Sequence, residues 1–480
     1  MQNYVLFAQP GGSAKISCVS SPRDRGHCMN NPSQIPARLT SRQSLMVGVA
    51  LFSMFFGAGN LILPPLLGLQ AGDQSVPAMV GFLVTAIGLP VAGIVTVALA
   101  GTARELAGRV HPRFAGLFVG AVYLSIGPFL AIPRTSTTAF EMIVPLLPEG
   151  VSATAALLVF SVVFFAVAYL MAMHPSSITR LLGRVTGPAL IALIVVVVVS
   201  AVVAPSGGVA AAQAPYDGGA AIQGALTGYQ SMDLLASMTF GLVIAETIRG
   251  LGVKEPRGVA REVSRAGVVA GLLMGLIYCG LAWVGASLGT VMPDAANGAA
   301  LLAKSAELHF GVAGTAVVAA IFLLACLNVC IGLITCCGTY FAETYGADAP
   351  AAAGPLRRVP YRAWVLAFAA FSCVLSNFGL NAILAFSVPL LGALYPMAIV
   401  LVVLGLFHRA CDENPQVWPW AVGVTGVVSV SVSLREALAP ALWLPTDALP
   451  LAGDGLGWVV PAVAGVLIGF AHARLARRRA

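Results

Sequence analysis

Charged residues are scarce in this chain. Only 9% of its 480 residues are Asp, Glu, Lys or Arg, whereas 58% are hydrophobic, and the mean hydropathy is +0.90. In soluble domains about a quarter of the residues are charged. The composition therefore excludes a soluble globule and predicts an all-α polytopic membrane protein.

The residue groupings that catalysis requires are also missing. His111 and His174 fall in loops beside arginines without a paired carboxylate, and no phosphate-binding glycine loop or aspartate-rich pair is present. Six of the nine cysteines lie inside predicted helices, where small unpaired thiols explain them, and no His or carboxylate partners cluster near them. We expect no enzyme, no metal centre and no cofactor.

Twelve stretches are long and apolar enough to cross a bilayer. They are predicted near residues 45–67, 77–99, 114–133, 151–173, 187–204, 227–248, 266–289, 312–342, 361–377, 381–404, 417–434 and 457–473. The ninth and tenth abut, so eleven spans remain possible. Residues 1–44 lack periodicity and predict a disordered cytoplasmic tail, whereas the Gly- and Ala-rich segment at 205–227 reads as a loop.

The basic residues are distributed unevenly across the predicted spans. All but Arg134, Lys304 and Arg435 of the 26 Lys and Arg residues fall on one side of the membrane if the spans alternate in direction. This positive-inside asymmetry predicts that both termini lie in the cytoplasm. It also accounts for the net charge of +7 without a nucleic-acid partner.

The first predicted span is interrupted in its middle. Gly57-Ala58-Gly59-Asn60 is followed closely by Pro64-Pro65. A helix in lipid must satisfy its own backbone hydrogen bonds, so such a break is tolerated only where the freed groups face a cavity or a ligand. The arrangement is typical of transporters that hold a small solute at mid-membrane.

Five motifs occur in the order found in one family. They are LMVGVALFSMFFGAGNLILPPLLG (45–68), GPFLAIPRTSTTAFE (127–141), GYQSMDLLASMTFG (228–241), ACLNVCIGLIT (325–335) and SNFGLNAILAFSVPLLGALYP (376–396). With them the chain resembles the bacterial branched-chain amino acid carriers, the cation-coupled symporters of the system II or LIVCS family.

The resemblance implies sodium-driven import of leucine, isoleucine and valine across the bacterial inner membrane, with lipid around the protein and no obligate protein partner. It also implies a LeuT-type architecture for residues 45–480. Two inverted five-helix repeats would span about 45–204 and 227–404, helices one and six would be broken, and two extra helices would lie at about 417–473.

The two broken helices are expected to form the substrate site. Hydroxyls beside a glycine can bind an ammonium or a cation, although the alternative for helix six is serine and threonine back-bonding within an ordinary helix. The predicted substrate-binding residues are Phe56, Gly57, Ala58, Gly59, Asn60, Ser237, Thr239, Phe240 and Gly241. Ile331, with Phe56 and Phe240, is expected to line the apolar part.

Two cation sites are implied by the LeuT-type pattern. In the first, the side-chain oxygen of Asn60 would join the carbonyl of Phe55 and the hydroxyl of Ser237 or Thr239; alternatively, the Asn60 amide ties the broken helix to a neighbour. The second would use the carbonyls of Ser53, Phe56 and Ala325 with the side chains at 328 and 329.

The chain departs from the family at this second cation site. The family typically has two adjacent threonines where this sequence has Asn328-Val329. Asn328 offers an oxygen ligand and Val329 offers none. Sodium coupling, its replacement by protons and its loss therefore stay open.

Three charged residues fall near the extracytoplasmic ends of helices three and six: Arg134, Glu141 and Asp233. Charges within a span are functional candidates because burying them unpaired is costly. They predict either an outer gate or a static brace. A related amino acid carrier is the main alternative function; a channel or an intramembrane enzyme, which would need ionisable groups at depth, is less favoured.

Overall fold

The computed structural model describes residues 38–148, 150, 152–231, 233–295, 297–345, 359–439 and 441–479. Most of the predicted tail at 1–44 lies outside this part of the chain. Its last residues are helical, because Thr40 caps the first helix by accepting a hydrogen bond from the amide of Gln43. The described residues form helices and connecting turns, without a strand among them.

The helices number twenty in the described ranges. Those of the first half are α1 Ser41–Phe55, α2 Ala58–Ala71, α3 Ser75–Leu83, α4 Leu89–Ala100, α5 Ala103–Gly108, α6 Pro112–Leu124, α7 Ala131–Glu141, α8 Ala153–Ala172, α9 Pro175–Leu181 and α10 Gly187–Val203. Those of the second half are α11 Ala220–Tyr229, α12 Asp233–Gly250, α13 Pro256–Ala286, α14 Gly298–Phe310, α15 Val312–Thr344, α16 Tyr361–Ser376, α17 Leu380–Leu406, α18 His408–Asp412, α19 Val417–Leu438 and α20 Val459–Arg479. Single π-helical turns join α3 to α4, α6 to α7 and α9 to α10.

Length and hydropathy alone count fewer spans than the sequence predicts. Nine helices in the described ranges are long and apolar enough to cross a membrane, and a tenth span is the α11–α12 pair, bent by 48°. α16 is apolar but shorter. One of the nine runs 43 residues, from Ala58 to Ala100, which is twice what one crossing needs.

The packing on α13 shows that this long run is two spans. The facing pairs are Gly48 with Val269, Pro65 with Gly285, Ile94 with Gly267 and Leu83 with Gly275. α13 is therefore parallel to α1 and α2 but antiparallel to α3 and α4. The chain must reverse between them, at Gly72, whose φ of +46° favours glycine.

With that reversal, α1–α2 and α3–α4 are separate crossings, and the twelve predicted spans are all helical. An even number places the start of α1 and the end of α20 at one end of the bundle, which we name the termini end. The opposite end is the far end. The all-helical fold class is confirmed. The bounds of the inverted repeats stay predictions.

Two helix boundaries differ from the prediction, and one helix was not predicted. α13 begins at Pro256, ten residues before the predicted start, because a charged helical turn precedes the apolar run and proline suits its first position. α11 begins at Ala220, inside the predicted loop at 205–227. α14 was missed because this short helix, which carries Lys304 and Glu307, has no long apolar run.

Two helix pairs are in backbone contact along glycines. Gly68 and Gly285 bring α2 and α13 together, and a Cβ on either would overlap backbone atoms of the other helix. Gly81 and Gly224 do the same for α3 and α11. Small residues permit this close approach in membranes. Each broken span is thereby packed closely on one neighbouring helix, α2 on α13 and α11 on α3.

Candidate transport site at the broken helices

The first span is interrupted at Phe56 and Gly57. Phe56 (φ −77°, ψ 86°) ends α1, and Gly57 (φ −107°, ψ −168°) precedes α2. A Cβ on Gly57 would lie 3.2 Å from Cγ2 of Val329, so the missing side chain permits close approach of α15. Pro64 and Pro65 lie inside α2, where each leaves the carbonyl four residues earlier without its helical donor.

Asn60 spans this break. Ala58, Gly59 and Asn60 form the first turn of α2 rather than the interruption itself. The side-chain nitrogen Nδ2 of Asn60 donates a hydrogen bond of 2.8 Å to the carbonyl of Phe55. The amide thus ties together the two halves of its own helix. The sequence predicted that the amide oxygen of Asn60 and the carbonyl of Phe55 bind the same cation. The alternative was that the amide bonds to a neighbour of the broken helix. In the structure the amide bonds within its own span.

Helix six is broken, but upstream of the predicted residues. The bend lies between Tyr229 and Asp233, and α12 runs without interruption through Ser237, Thr239, Phe240 and Gly241. This corrects the predicted position of the break. No proline or glycine lies within the bend, so the sequence carries no strong signal of it.

The residues at 237–241 are held inside α12 by ordinary helix contacts. The hydroxyl of Ser237 donates to the carbonyl of Leu234 at 2.6 Å, and that of Thr239 donates to Ala236 at 2.8 Å. This is the back-bonding alternative. Ser237 packs on Gly93 of α4. Phe240 points to the first break, where its ring centroid lies 5.1 Å from that of Phe55.

A buried carboxylate stands where helix six resumes. Asp233 is the first residue of α12 and is 9% exposed, and its Oδ2 has no hydrogen-bond partner among the described residues. The Asn60 amide, the Ser231 hydroxyl and the Arg134 guanidinium lie around it. The carboxylate therefore sits between the two breaks, deeper than the predicted end of the span.

Arg134 also lies beside the first break. A Cβ on Gly59 would be 3.9 Å from its Nη2 atom, and Asp233 and Cys326 are within electrostatic range. Arg134 is in none of the five ion pairs found among the described residues. The structure thus brings Arg134 and Asp233 near one another without a contact of 4.0 Å.

Glu141 is separated from these two charges. It ends α7 at the far end, two helical turns beyond Arg134, and borders a cavity of about 430 Å³ that Lys304 and Glu307 also line. Lys304 pairs with Glu307 at 3.1 Å. Of the three predicted gate residues, Arg134 and Asp233 come together and Glu141 does not join them.

Sequence reasoning missed two tyrosines at the site. Tyr278 of α13 stacks on Phe56 with ring centroids 5.9 Å apart, and Tyr395 of α17 packs edge-on against Tyr229 at 4.7 Å. Both hydroxyls are buried without a hydrogen-bond partner among the described residues, and both lie near Asp233. A tyrosine inside an apolar span was the available signal, because its hydroxyl needs a partner.

The second predicted cation site lies between α1 and α15. Asn328 is fully buried, and neither its Oδ1 nor its Nδ2 has a hydrogen-bond partner among the described residues. Ala325 and Ser53 are also fully buried. The neighbouring Val329 packs against Gly57 with its methyl group. The Ser53 hydroxyl is already bonded to the carbonyl of Val49 at 2.9 Å, which leaves its own carbonyl as the predicted ligand.

Comparison with known families now identifies the chain. Residues 40–476 match the family model described as "Branched-chain amino acid transport protein". The chain belongs to this family. The resemblance drawn from the five motifs is thereby confirmed.

Curated relatives of this transporter agree over nearly its whole length. The branched-chain amino acid permease BraB of Bacillus subtilis is 38% identical and covers 90% of this chain and 96% of its own. The branched-chain amino acid transport system 3 carrier protein of Pseudomonas aeruginosa is 37% identical, covering 89% and 95%. The Escherichia coli K12 permease BrnQ is 35% identical, covering 92% and 98%.

A solved structure shares the fold. It is MHP1, a nucleobase-cation-symport-1 family transporter in a closed conformation with bromovinylhydantoin bound, with a TM-score of 0.58 and 15% identity over 94% of this chain and 96% of that one. The LeuT-type architecture predicted for this family member is confirmed. The chain is a transporter of the branched-chain amino acid family and not an enzyme.

Proposed function

We propose that this transporter imports leucine, isoleucine and valine by symport with a cation, and that the cation is sodium. Family membership supports the substrate class. The observation that carries the coupling is the Asn328 amide, which is buried with both polar atoms unpartnered among the described residues and directly precedes Val329, the residue that contacts Gly57 at the helix-one break.

The chemistry of this position suits a hard monovalent ion. An unpartnered buried polar group costs about 1–3 kcal/mol, and a cation bound to the Asn328 oxygen would offset that cost. The last carbonyls of α1, among them that of Ser53, lie at the negative end of its helix dipole. Oxygen ligands of this kind suit hard ions. The site would be completed by the carbonyls of Phe56 and Ala325.

The apolar walls suit an aliphatic side chain. Phe240 packs edge-on against Phe55, and Phe56 stacks on the ring of Tyr278. Phe56 and Phe240 are fully buried. A branched side chain placed here would exchange water for aromatic surface, which is favourable, whereas alanine would gain less from the same walls.

Proton coupling is the second candidate, and Val329 favours it. Val329 presents a methyl group to Gly57 and has no side-chain oxygen to offer the second cation site. A site lacking one side-chain ligand would bind sodium weakly, and a proton gradient would then drive uptake.

We further propose that the termini end faces the cytoplasm of a bacterial inner membrane. The positive-inside asymmetry supports this orientation, because the loops at the termini end carry almost all of the basic residues. A reporter active only in the cytoplasm, fused after Ala480, should be active. Activity of a periplasmic reporter at the same position would reverse the assignment.

Uptake into proteoliposomes tests the transport proposal. Labelled leucine, isoleucine, valine and alanine are compared under a sodium gradient, a proton gradient and no gradient. The proposal expects concentrative uptake of the three branched amino acids, with less alanine, under the sodium gradient. Accumulation under the proton gradient alone would replace sodium by protons. Uptake that never exceeds equilibrium in any condition would contradict symport.

A further inference from the structure

Two opposite charges, the buried Asp233 and the partly buried Arg134, lie at the transport site without forming an ion pair. Asp233 is 9% exposed, and the guanidinium of Arg134 lies near it but beyond 4.0 Å. The five ion pairs of the described residues all lie elsewhere. A gate or a brace in its closed form would bring the two groups into contact, because unpaired buried charges are costly. Their separation therefore needs another explanation.

The two groups approach the same helical turn from different directions. Arg134 faces Gly59, where a Cβ would be 3.9 Å from its Nη2, and Asp233 lies beside the Asn60 amide. Successive residues of an α-helix point about 100° apart. Arg134 and Asp233 thus border adjacent sides of the first turn of α2, directly after the break.

An α-amino acid carries the complementary pair of charges. Its carboxylate and ammonium are attached to one carbon atom, and each needs an oppositely charged or polar partner when it leaves water. A guanidinium binds a carboxylate with two parallel hydrogen bonds, and the positive end of the α2 dipole adds to the attraction. A buried carboxylate with one unpartnered oxygen is a matching acceptor for an ammonium.

We propose that Arg134 and Asp233 are the two charged poles of the amino acid site: the Arg134 guanidinium binds the substrate carboxylate and the Asp233 carboxylate binds its ammonium. This inference rests on the proposed function and assigns residues to its substrate. The hydroxyl of Tyr278 adds a polar atom near Asp233. The site selects zwitterions, because an analogue lacking either charge leaves one pole buried without a partner.

The test compares three ligands of similar shape on the purified full-length protein. Leucine carries both charges, leucinol lacks the carboxylate and 4-methylpentanoate lacks the ammonium. Inhibition constants are measured against labelled leucine for the wild type, Arg134→Gln and Asp233→Asn. Glu141→Gln is the matched control, because it removes a charge from the same helix at the far-end cavity.

The expected result is a ligand-specific loss. Arg134→Gln should weaken leucine binding about tenfold or more and leave leucinol unchanged within about twofold. Asp233→Asn should weaken leucine similarly and leave 4-methylpentanoate unchanged. Glu141→Gln should alter none of the three constants. Arg134→Lys, which keeps the charge, should retain part of the preference for leucine over leucinol.

Two outcomes would overturn the assignment. Equal weakening of all three ligands would make Arg134 and Asp233 positioning residues. Unchanged binding with slower uptake would make them a gate. Either result leaves the proposed function standing, because the wild type still binds leucine. A wild-type protein that binds no branched-chain amino acid would instead refute the proposed function together with this inference.

Discussion

The two broken spans differ in how the chain makes the break. In helix one the interruption falls at Phe56 and Gly57, and an amide from Asn60 crosses it. In helix six the bend lies between Tyr229 and Asp233, with no glycine or proline inside it. Gly241, the glycine predicted to lie at the break of helix six, packs against Val97 instead. A glycine in a membrane helix can therefore lie at a break, as Gly57 does, or inside an unbroken helix that packs closely on a neighbour, as Gly241 does. The sequence alone does not tell which of the two applies.

The sharpest comparison uses two glycines with the same free space. A Cβ would meet Val329 Cγ2 at 3.2 Å from Gly57 and Val97 Cγ1 at 3.2 Å from Gly241. Gly57→Ala should lower leucine uptake about tenfold, since overpacking costs about 1–3 kcal/mol, and Gly57→Leu should abolish uptake. Gly241→Ala should stay within about twofold, because alanine favours the unbroken helix there. Equal losses of uptake in Gly57→Ala and Gly241→Ala would show that the break is no more sensitive to an added methyl group than the unbroken helix.

A second comparison concerns side-chain polar groups. Asn60→Ala removes the bond across the helix-one break, whereas Ser237→Ala removes only a bond within α12. We expect Asn60→Ala to eliminate concentrative uptake with normal expression and membrane insertion, at a cost of about 1–3 kcal/mol for the unpartnered carbonyl of Phe55. Ser237→Ala should retain uptake within about twofold. A severe loss of uptake in Ser237→Ala would support the original prediction that this hydroxyl is a ligand of the cation.

The proposed cation site predicts a gain of function. Val329→Thr would add the hydroxyl that this position lacks, and it should lower the sodium concentration for half-maximal leucine uptake. Each tenfold shift corresponds to about 1.4 kcal/mol. Val329→Ala, which adds no oxygen, is the matched control. A wild type that is already tightly sodium dependent, and is unchanged by Val329→Thr, would show that the missing hydroxyl does not matter.

The smallest effects are expected at the termini end, where both broken spans are tethered by side chains. Ser44 at the start of α1 donates to the buried Glu262 at 3.1 Å, and Thr247 of α12 bonds Thr179 at 2.8 Å. Ser44→Ala and Thr247→Val should each change uptake by less than about threefold, because each removes one hydrogen bond far from the break, and the weaker hydrogen bonds contribute only about 0.5 kcal/mol. A much larger effect of one variant than of the other would show that the two broken spans depend unequally on these hydrogen bonds.

Sequence predicted best where composition and local chemistry act alone. Every span predicted from hydropathy coincides with helix in the described residues, and Gly57 with Pro64-Pro65 located the first break to within a few residues. The sequence-based predictions were wrong where contacts between helices determine the local structure. The bend before Asp233 has no local signal, and Ser237 and Thr239 satisfy their hydroxyls within the helix.

The site was harder to predict than the fold for a related reason. Arg134 and Asp233 are about a hundred residues apart, and only the packing of α7 and α12 around α2 brings them together. Periodicity places a charge on a span but does not give its depth relative to another helix. For Tyr278 and Tyr395 the sequence shows an aromatic residue in an apolar run, and the need of each hydroxyl for a partner becomes visible only in the packed bundle.

The glycine contacts between α2 and α13 and between α3 and α11 have a mechanical consequence. At Gly68, Gly81, Gly224 and Gly285 the backbones meet without an intervening side chain. Backbones seated this closely resist sliding, since a shift of one residue would drive a larger side chain into a carbonyl group. We therefore expect each closely packed pair to move as a unit. Relative movement between helices is expected in the segments outside these glycine contacts.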